Sequence, residues 1–103
     1  MENNYLIKID EISKLIEHDY IFIDLREPNQ YNKLHITKFI NVPYQKFINN
    51  PPTLPKDKPI YLICYSGKRS LDLAKKLSLA GYHAYSFEGG FYAIENPINQ
   101  QFY

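Results

Sequence analysis

The single cysteine of the chain, Cys64, opens a short segment of small, hydroxyl-bearing and cationic residues. The segment reads Cys64-Tyr65-Ser66-Gly67-Lys68-Arg69-Ser70. A thiol attacks as its thiolate, and nearby positive charge favours that form. One cysteine can neither close an internal disulfide, nor form a CxxC redox pair, nor complete a structural zinc site. The segment therefore favours nucleophilic chemistry at one thiolate.

This segment lies between a predicted strand and a predicted helix. Ile60–Cys64 is a continuous apolar run, typical of a strand buried on both faces. Ser70–Ala80 carries apolar residues at helical spacing, and Gly81 is placed to end that helix. A tight strand-to-helix loop points successive backbone N–H groups inward, and Gly67 permits a backbone angle that other residues resist. We therefore predict a cradle of amides around Cys64.

Short apolar runs alternate with helical patterns along the rest of the chain. The other predicted strands are Tyr5–Ile9, Tyr20–Asp24, Phe39–Val42 and His83–Phe87. The other predicted helices contain Ile12, Leu15 and Ile16 after an Asp10 cap, run from Pro28 to about Lys33, and cover Phe91–Glu95. Four prolines make the segment from Asn49 to Pro59 a surface loop. The alternation predicts an α/β fold, a five-stranded, mostly parallel sheet with helices on both faces, whose ligands bind at the carboxyl ends of strands.

The size and charge of the chain restrict the classes of function. Its 103 residues are expected to form one domain, residues 1–103. A net charge of +1 argues against a nucleic-acid or membrane-surface partner, since both usually need a basic excess. The sequence has no apolar run near the roughly 20 residues of a membrane span. The N-terminal stretch MENNYLIKID lacks the apolar core of a signal peptide, so we expect a cytoplasmic protein.

The segment from Cys64 to Ser70 resembles the C-x-x-G-x-R-S active-site loop of single-domain rhodaneses, or thiosulfate sulfurtransferases. Other blocks in the family's order extend the resemblance over nearly the whole chain: Asp24-Leu25-Arg26-Glu27, Tyr31, His35-Ile36, Asn41-Val42-Pro43, Gly81-Tyr82 and Gly89-Gly90. Both arginines and all four glycines of the chain fall within these blocks. Leu34, Lys38-Phe39 and Ile94 depart from the family pattern, which leaves the choice of substrate open.

The resemblance implies sulfur transfer by a rhodanese-like domain. Cys64 would take the outer sulfur of thiosulfate or a persulfide donor and hold it as a persulfide. A thiol, a protein cysteine or, in vitro, cyanide would then accept the sulfur, and this acceptor must come from outside because the chain has no second cysteine. Arg69, with Lys68, would supply electrostatic support, and residues Tyr65, Ser66, Gly67, Lys68 and Ser70 would bind the donor. No metal or organic cofactor is implied.

Supporting roles fall on Asp24, Arg26 and His35. Asp24 and Arg26 are expected to brace the rim of the site as an ion pair, the alternative being two solvated charges. His35 is expected to make a structural hydrogen bond rather than to transfer protons. No pair among His18, His35 and His83 has the spacing of metal ligands.

Three other interpretations remain open at this point. The domain could be a non-catalytic binding or regulatory module, since a fold does not settle a function. It could be a related cysteine phosphatase or arsenate reductase, although the loops of those enzymes place one more residue between cysteine and arginine than the four found here. Cys64 could also be a small hydrophobic residue of the core.

Overall fold

The computed structural model describes residues 4–96, which form one parallel sheet flanked by helices. The strands are β1 (Leu6–Ile7), β2 (Ile21–Asp24), β3 (Ile40–Asn41), β4 (Pro59–Ile63) and β5 (His83–Phe87), in the spatial order β1-β5-β4-β2-β3. All of the pairings between these strands are parallel. The predicted fold class is therefore confirmed, and the predicted domain boundaries at residues 1 and 103 lie outside the described residues.

Within residues 4–96, four α-helices connect the strands, a fifth follows β5, and together they cover both faces of the sheet. They are α1 (Ile12–Leu15), α2 (Pro28–Lys33), α3 (Tyr44–Asn49), α4 (Lys68–Leu79) and α5 (Gly90–Glu95). Because side chains alternate along a strand, β4 and the residue after it divide between two core clusters. Ile60, Leu62 and Cys64 pack with Phe47 of α3 and Leu73 and Ala74 of α4. Tyr61 and Ile63 pack with Ile12 of α1 and Phe91 of α5 on the opposite face.

The amino-terminal predictions differ most from the structure. Strand β1 ends at Ile7 rather than Ile9, and Ile9–Glu11 forms a 3-10 helix that leads into α1. Asp10 lies inside that turn, and the residue that precedes α1, Glu11, makes no side-chain cap hydrogen bond, so the predicted Asp10 cap is wrong. Within residues 4–96, β1 is an edge strand that pairs with β5, and edge strands are often very short.

Two further differences concern helix α3 and the start of helix α4. Helix α3 was not predicted, since it begins directly after Pro43 and buries only Phe47. Helix α4 begins at Lys68 rather than Ser70, because Gly67 adopts a left-handed conformation (φ +93°) that turns the chain into the helix. None of the helices within residues 4–96 has the length and apolar character needed to cross a membrane.

Candidate active site

Cys64 lies directly after β4, at the carboxyl edge of the sheet, and is 4% exposed. Its Sγ atom accepts hydrogen bonds from two backbone N–H groups, those of Gly67 (3.1 Å) and Ser70 (3.3 Å). The Ser70 hydroxyl oxygen lies 3.4 Å from the same sulfur. Backbone amides that point at a sulfur stabilise negative charge on it without needing to reorganise. The geometry thus suits a thiolate.

The residue before α4, Gly67, and the first turn of the helix supply these amides. Gly67 precedes the helix in a left-handed conformation, and Leu71 N–H donates to Gly67 O at 3.1 Å. Ser66 Oγ accepts a hydrogen bond from Lys68 N–H at 3.3 Å, which fixes the turn before the helix. The predicted cradle residues therefore lie together, with Ser66 holding the turn and Gly67 and Ser70 facing the sulfur.

A second segment, the start of α5, holds the loop from the other side. Phe91 N–H donates to Cys64 O, and Tyr92 N–H donates to Tyr65 O, both at 2.9 Å. Gly90 fits between these strands of backbone: a Cβ atom on it would lie 2.6 Å from Tyr65 O and 2.7 Å from Gly67 N, and closer still to Cys64 O. The sequence matched Gly90 to a family block but did not place it at the site.

The two cations of the loop, Lys68 and Arg69, are both exposed. The Arg69 guanidinium carbon lies 5.0 Å from the centre of the Tyr44 ring, on α3. Among the described residues, the N–H groups bonded to Sγ come from the backbone and not from Arg69 or Lys68. Both cationic side chains therefore face solvent rather than the sulfur.

Tyr65 lies at the exposed rim of the loop. It makes an edge-to-face contact with Tyr92, also exposed, at a centroid distance of 5.9 Å. Tyr65, which the resemblance places among the donor-binding residues, therefore lies at the entrance to the loop and not against the sulfur.

Asp24 and Arg26 form a buried ion pair beside the loop. Arg26 Nη2 lies 2.8 Å from Asp24 Oδ2, and both residues are more than nine-tenths buried. The guanidinium also donates to Leu34 O at 2.7 Å and stacks on the Phe91 ring at 3.7 Å. Phe91 is the residue whose N–H binds Cys64 O. The pair thus contacts the element that holds the cysteine loop, and the alternative of two solvated charges is wrong.

His35 lies apart from this cluster of contacts. Its ring stacks on Tyr31, and its Nδ1 atom lies 2.8 Å from Tyr31 O. The residue is exposed, and the structure records no hydrogen bond between His35 and the 64–70 loop. His35 therefore holds the end of α2 and is not brought together with Cys64. Within the described part of the chain, no group of three or more His, Cys, Asp or Glu side chains is placed to hold a metal ion.

Residues 8–97 match the sequence profile of the family described as "Rhodanese-like domain". The match covers strands β2 to β5, the cysteine loop and the double glycine that precedes and begins α5. The chain belongs to the rhodanese-like domain family.

Curated relatives of this rhodanese-like domain include sulfurtransferases. It is 31% identical over 97 residues to the thiosulfate sulfurtransferase GlpE of Pseudoalteromonas translucida, with 92% of each chain covered. It is 39% identical over 75 residues to a tRNA sulfurtransferase of Desulfurococcus amylolyticus, with 73% of this chain covered. The chain spans only 15% of that enzyme's length, and 24% of the length of the adenylyltransferase and sulfurtransferase UBA4 of Yarrowia lipolytica.

A solved structure extends the comparison from the sequence to the fold. The rhodanese-related protein from Thermoplasma volcanium superposes with a TM-score of 0.75 at 27% identity, over 94% of this chain and 92% of that one. The rhodanese-like domain described here therefore shares both its sequence family and its architecture with known members.

Proposed function

We propose that this rhodanese-like domain is a sulfurtransferase that carries sulfur as a persulfide on Cys64. The observation that carries the proposal is the pair of backbone N–H groups, from Gly67 and Ser70, directed at Cys64 Sγ. In the first step the thiolate attacks the outer sulfur of thiosulfate. A new S–S bond forms, the S–S bond of thiosulfate breaks, and sulfite leaves with the bonding electrons.

In the second step an external thiolate, or cyanide in vitro, attacks the outer sulfur of the persulfide. The bond between the two sulfurs breaks, and Cys64 leaves as the thiolate that the amides stabilise. A persulfide donor can replace thiosulfate in the first step, with a thiolate leaving instead of sulfite. The names of the relatives, thiosulfate sulfurtransferase and tRNA sulfurtransferase, support this class of reaction. The acceptor is a small thiol or a protein cysteine.

Mass spectrometry of the intact protein tests the proposal directly. Incubation with thiosulfate is expected to raise the mass of the chain by one sulfur atom, and cyanide or a small thiol is expected to remove it. Protein whose single cysteine has first been blocked with iodoacetamide is the control, and should gain nothing. A wild-type chain whose mass does not change with thiosulfate or a persulfide donor overturns the proposal and favours the binding-module interpretation.

A phosphatase activity is the competing enzymatic outcome. Four residues separate Cys64 from Arg69, and the ring that they form is suited to one sulfur atom rather than to a tetrahedral oxyanion. The domain is therefore expected to leave an aryl phosphate unhydrolysed under conditions in which it takes sulfur from thiosulfate.

Replacing Lys68 by alanine should weaken binding of the dianionic donor. Lys68 is exposed at the start of α4, beside the amides that face Cys64 Sγ, so its charge attracts the donor through solvent. We expect KM for thiosulfate to rise by about two- to fivefold with kcat nearly unchanged, because interactions between exposed charges are small. The difference in KM between Lys68→Ala and wild type should become smaller as the salt concentration rises, since salt screens exposed charges.

Lys75→Ala is the matched control for this prediction. Lys75 is also exposed on α4 but lies further along the helix, away from the loop. The substitution removes the same charge from the same helix and should leave KM near the wild-type value. Equal KM values for the two variants would remove Lys68 from the donor site.

A further inference from the structure

Two buried hydroxyl groups meet beneath the cysteine loop. Ser86, on β5, and Ser70, on α4, are both fully buried, and their Oγ atoms lie 2.6 Å apart. Ser86 stands on the strand next to β4, opposite Leu62. A hydroxyl group loses its hydrogen bonds to water when it enters a core, so a buried pair is tolerated only when its members bond to each other or to neighbours. In the sequence, the signal for this pair is a serine between Tyr85 and Phe87 in a predicted strand.

The Ser70 hydroxyl has three neighbours but only one proton. Its Oγ lies 3.4 Å from Cys64 Sγ, 3.3 Å from Gly67 O and 2.6 Å from Ser86 Oγ. A hydroxyl donates one hydrogen bond and accepts two. When Cys64 is a thiol, its S–H can donate to Ser70 Oγ. When Cys64 is a thiolate, the sulfur only accepts, so the Ser70 proton must turn toward it for the contact to stabilise the charge.

The direction of the Ser86 hydroxyl decides whether the Ser70 proton is available. If Ser70 donated to Ser86, its only proton would point away from the sulfur and could not stabilise the thiolate. If Ser86 donates to Ser70, the Ser70 proton is left for Cys64 Sγ or Gly67 O, and an anionic sulfur attracts it more strongly than a neutral carbonyl oxygen does. The incoming hydrogen bond from Ser86 polarises the Ser70 O–H group further.

We propose that Ser86 is a positioning residue that donates its proton to Ser70 Oγ and so directs the Ser70 proton to the Cys64 thiolate. The inference rests on the proposed function, in which this thiolate attacks the donor and is released again when the acceptor takes the sulfur. Ser86 acts only through Ser70 and touches neither donor nor acceptor.

Removing the Ser86 hydroxyl should favour the thiol over the thiolate. Ser70 Oγ, still buried, would lose the donor at 2.6 Å, and the S–H group of the thiol is the neighbour that can replace it. We expect the pH midpoint of Cys64 alkylation in Ser86→Ala to rise by about half a unit to one unit, as the loss of one hydrogen bond implies. Sulfur uptake below this midpoint should slow by about three- to tenfold.

The experiment measures iodoacetamide alkylation of Cys64 against pH in the full chain, with the ultraviolet absorbance of the thiolate as a second measurement. It compares wild type, Ser86→Ala, Ser70→Ala and the double variant. Because Ser86 acts through Ser70, its removal should have no further effect in the Ser70→Ala background. Ala84→Gly is the matched control: Ala84 is buried on β5 two residues earlier and has no hydroxyl group to donate to Ser70, so its variant should lose stability without moving the midpoint.

The outcomes separate this inference from the proposed function. A midpoint that rises in Ser86→Ala, but not in Ala84→Gly, and that does not rise further in the double variant, supports the positioning role. An unchanged midpoint in Ser86→Ala overturns it, even if the variant is less stable, and so does an equal shift with and without Ser70. Alkylation needs no sulfur donor, so a wild-type chain that takes sulfur from neither thiosulfate nor a persulfide donor overturns the proposed function alone.

Discussion

Replacing Cys64 by serine is expected to abolish sulfur uptake from thiosulfate and to leave the fold intact. A serine hydroxyl is a far weaker nucleophile than a thiolate, and the chain has no second cysteine to take over. The rate of uptake should fall by at least about a thousandfold, as losses of catalytic nucleophiles do. Intact-mass measurement of the variant after incubation with thiosulfate should show no added sulfur.

The fold of this variant should survive because serine suits the same hydrogen bonds. The N–H groups of Gly67 and Ser70, which now donate to Sγ, can donate to a serine oxygen at the same place. We expect the free energy of unfolding to change by less than about 1 kcal/mol, measured by urea denaturation. A folded Cys64→Ser variant that still gains a sulfur atom would contradict the assignment of Cys64 as the carrier.

The central strands could be predicted from the sequence because each is buried on both faces. The apolar runs of β2, β4 and β5 identify these strands without information on the strands beside them. The predicted ends lie within one residue of the observed ones. The short edge strand β1 and the six-residue helix α3 differ, since contacts with the rest of the protein decide where they begin and end. Phe47 is the only buried residue of α3, and one buried position is too few to produce the apolar spacing that predicts a helix.

The cysteine loop could be predicted because its parts are adjacent in sequence. Cys64, Gly67 and Ser70 belong to one turn, so the residue types alone placed amides beside a thiol. The sequence predicts the ion pair of Asp24 and Arg26, but not the packing of its guanidinium on Phe91. It also does not predict that Ser86, on the strand beside β4, lies against Ser70. These are contacts between distant segments, and no local pattern contains them.

Replacing Gly90 by alanine should damage both stability and sulfur transfer, because the added Cβ has nowhere to go. It would lie 2.6 Å from Tyr65 O and 2.7 Å from Gly67 N, atoms of backbone that cannot rotate away. Gly90 also has a φ of +61°, a left-handed conformation that alanine resists. Together these effects should lower the free energy of unfolding by about 3 to 5 kcal/mol, measured by urea denaturation.

Sulfur uptake by the folded fraction of Gly90→Ala should fall by at least about tenfold. The Gly67 amide that the new Cβ displaces is one of the two that face Cys64 Sγ, and a misplaced donor in such a site costs on that scale. Gly81→Ala separates this steric effect from the backbone strain. Gly81 also has a positive φ (+98°), but a Cβ there meets only the flexible end of Lys56, at 3.5 Å or more. That control should lose about 1 kcal/mol of stability and keep its full rate of uptake. If the two variants instead lost the same stability and took up sulfur equally fast, the start of α5 would not be holding the cysteine loop in place.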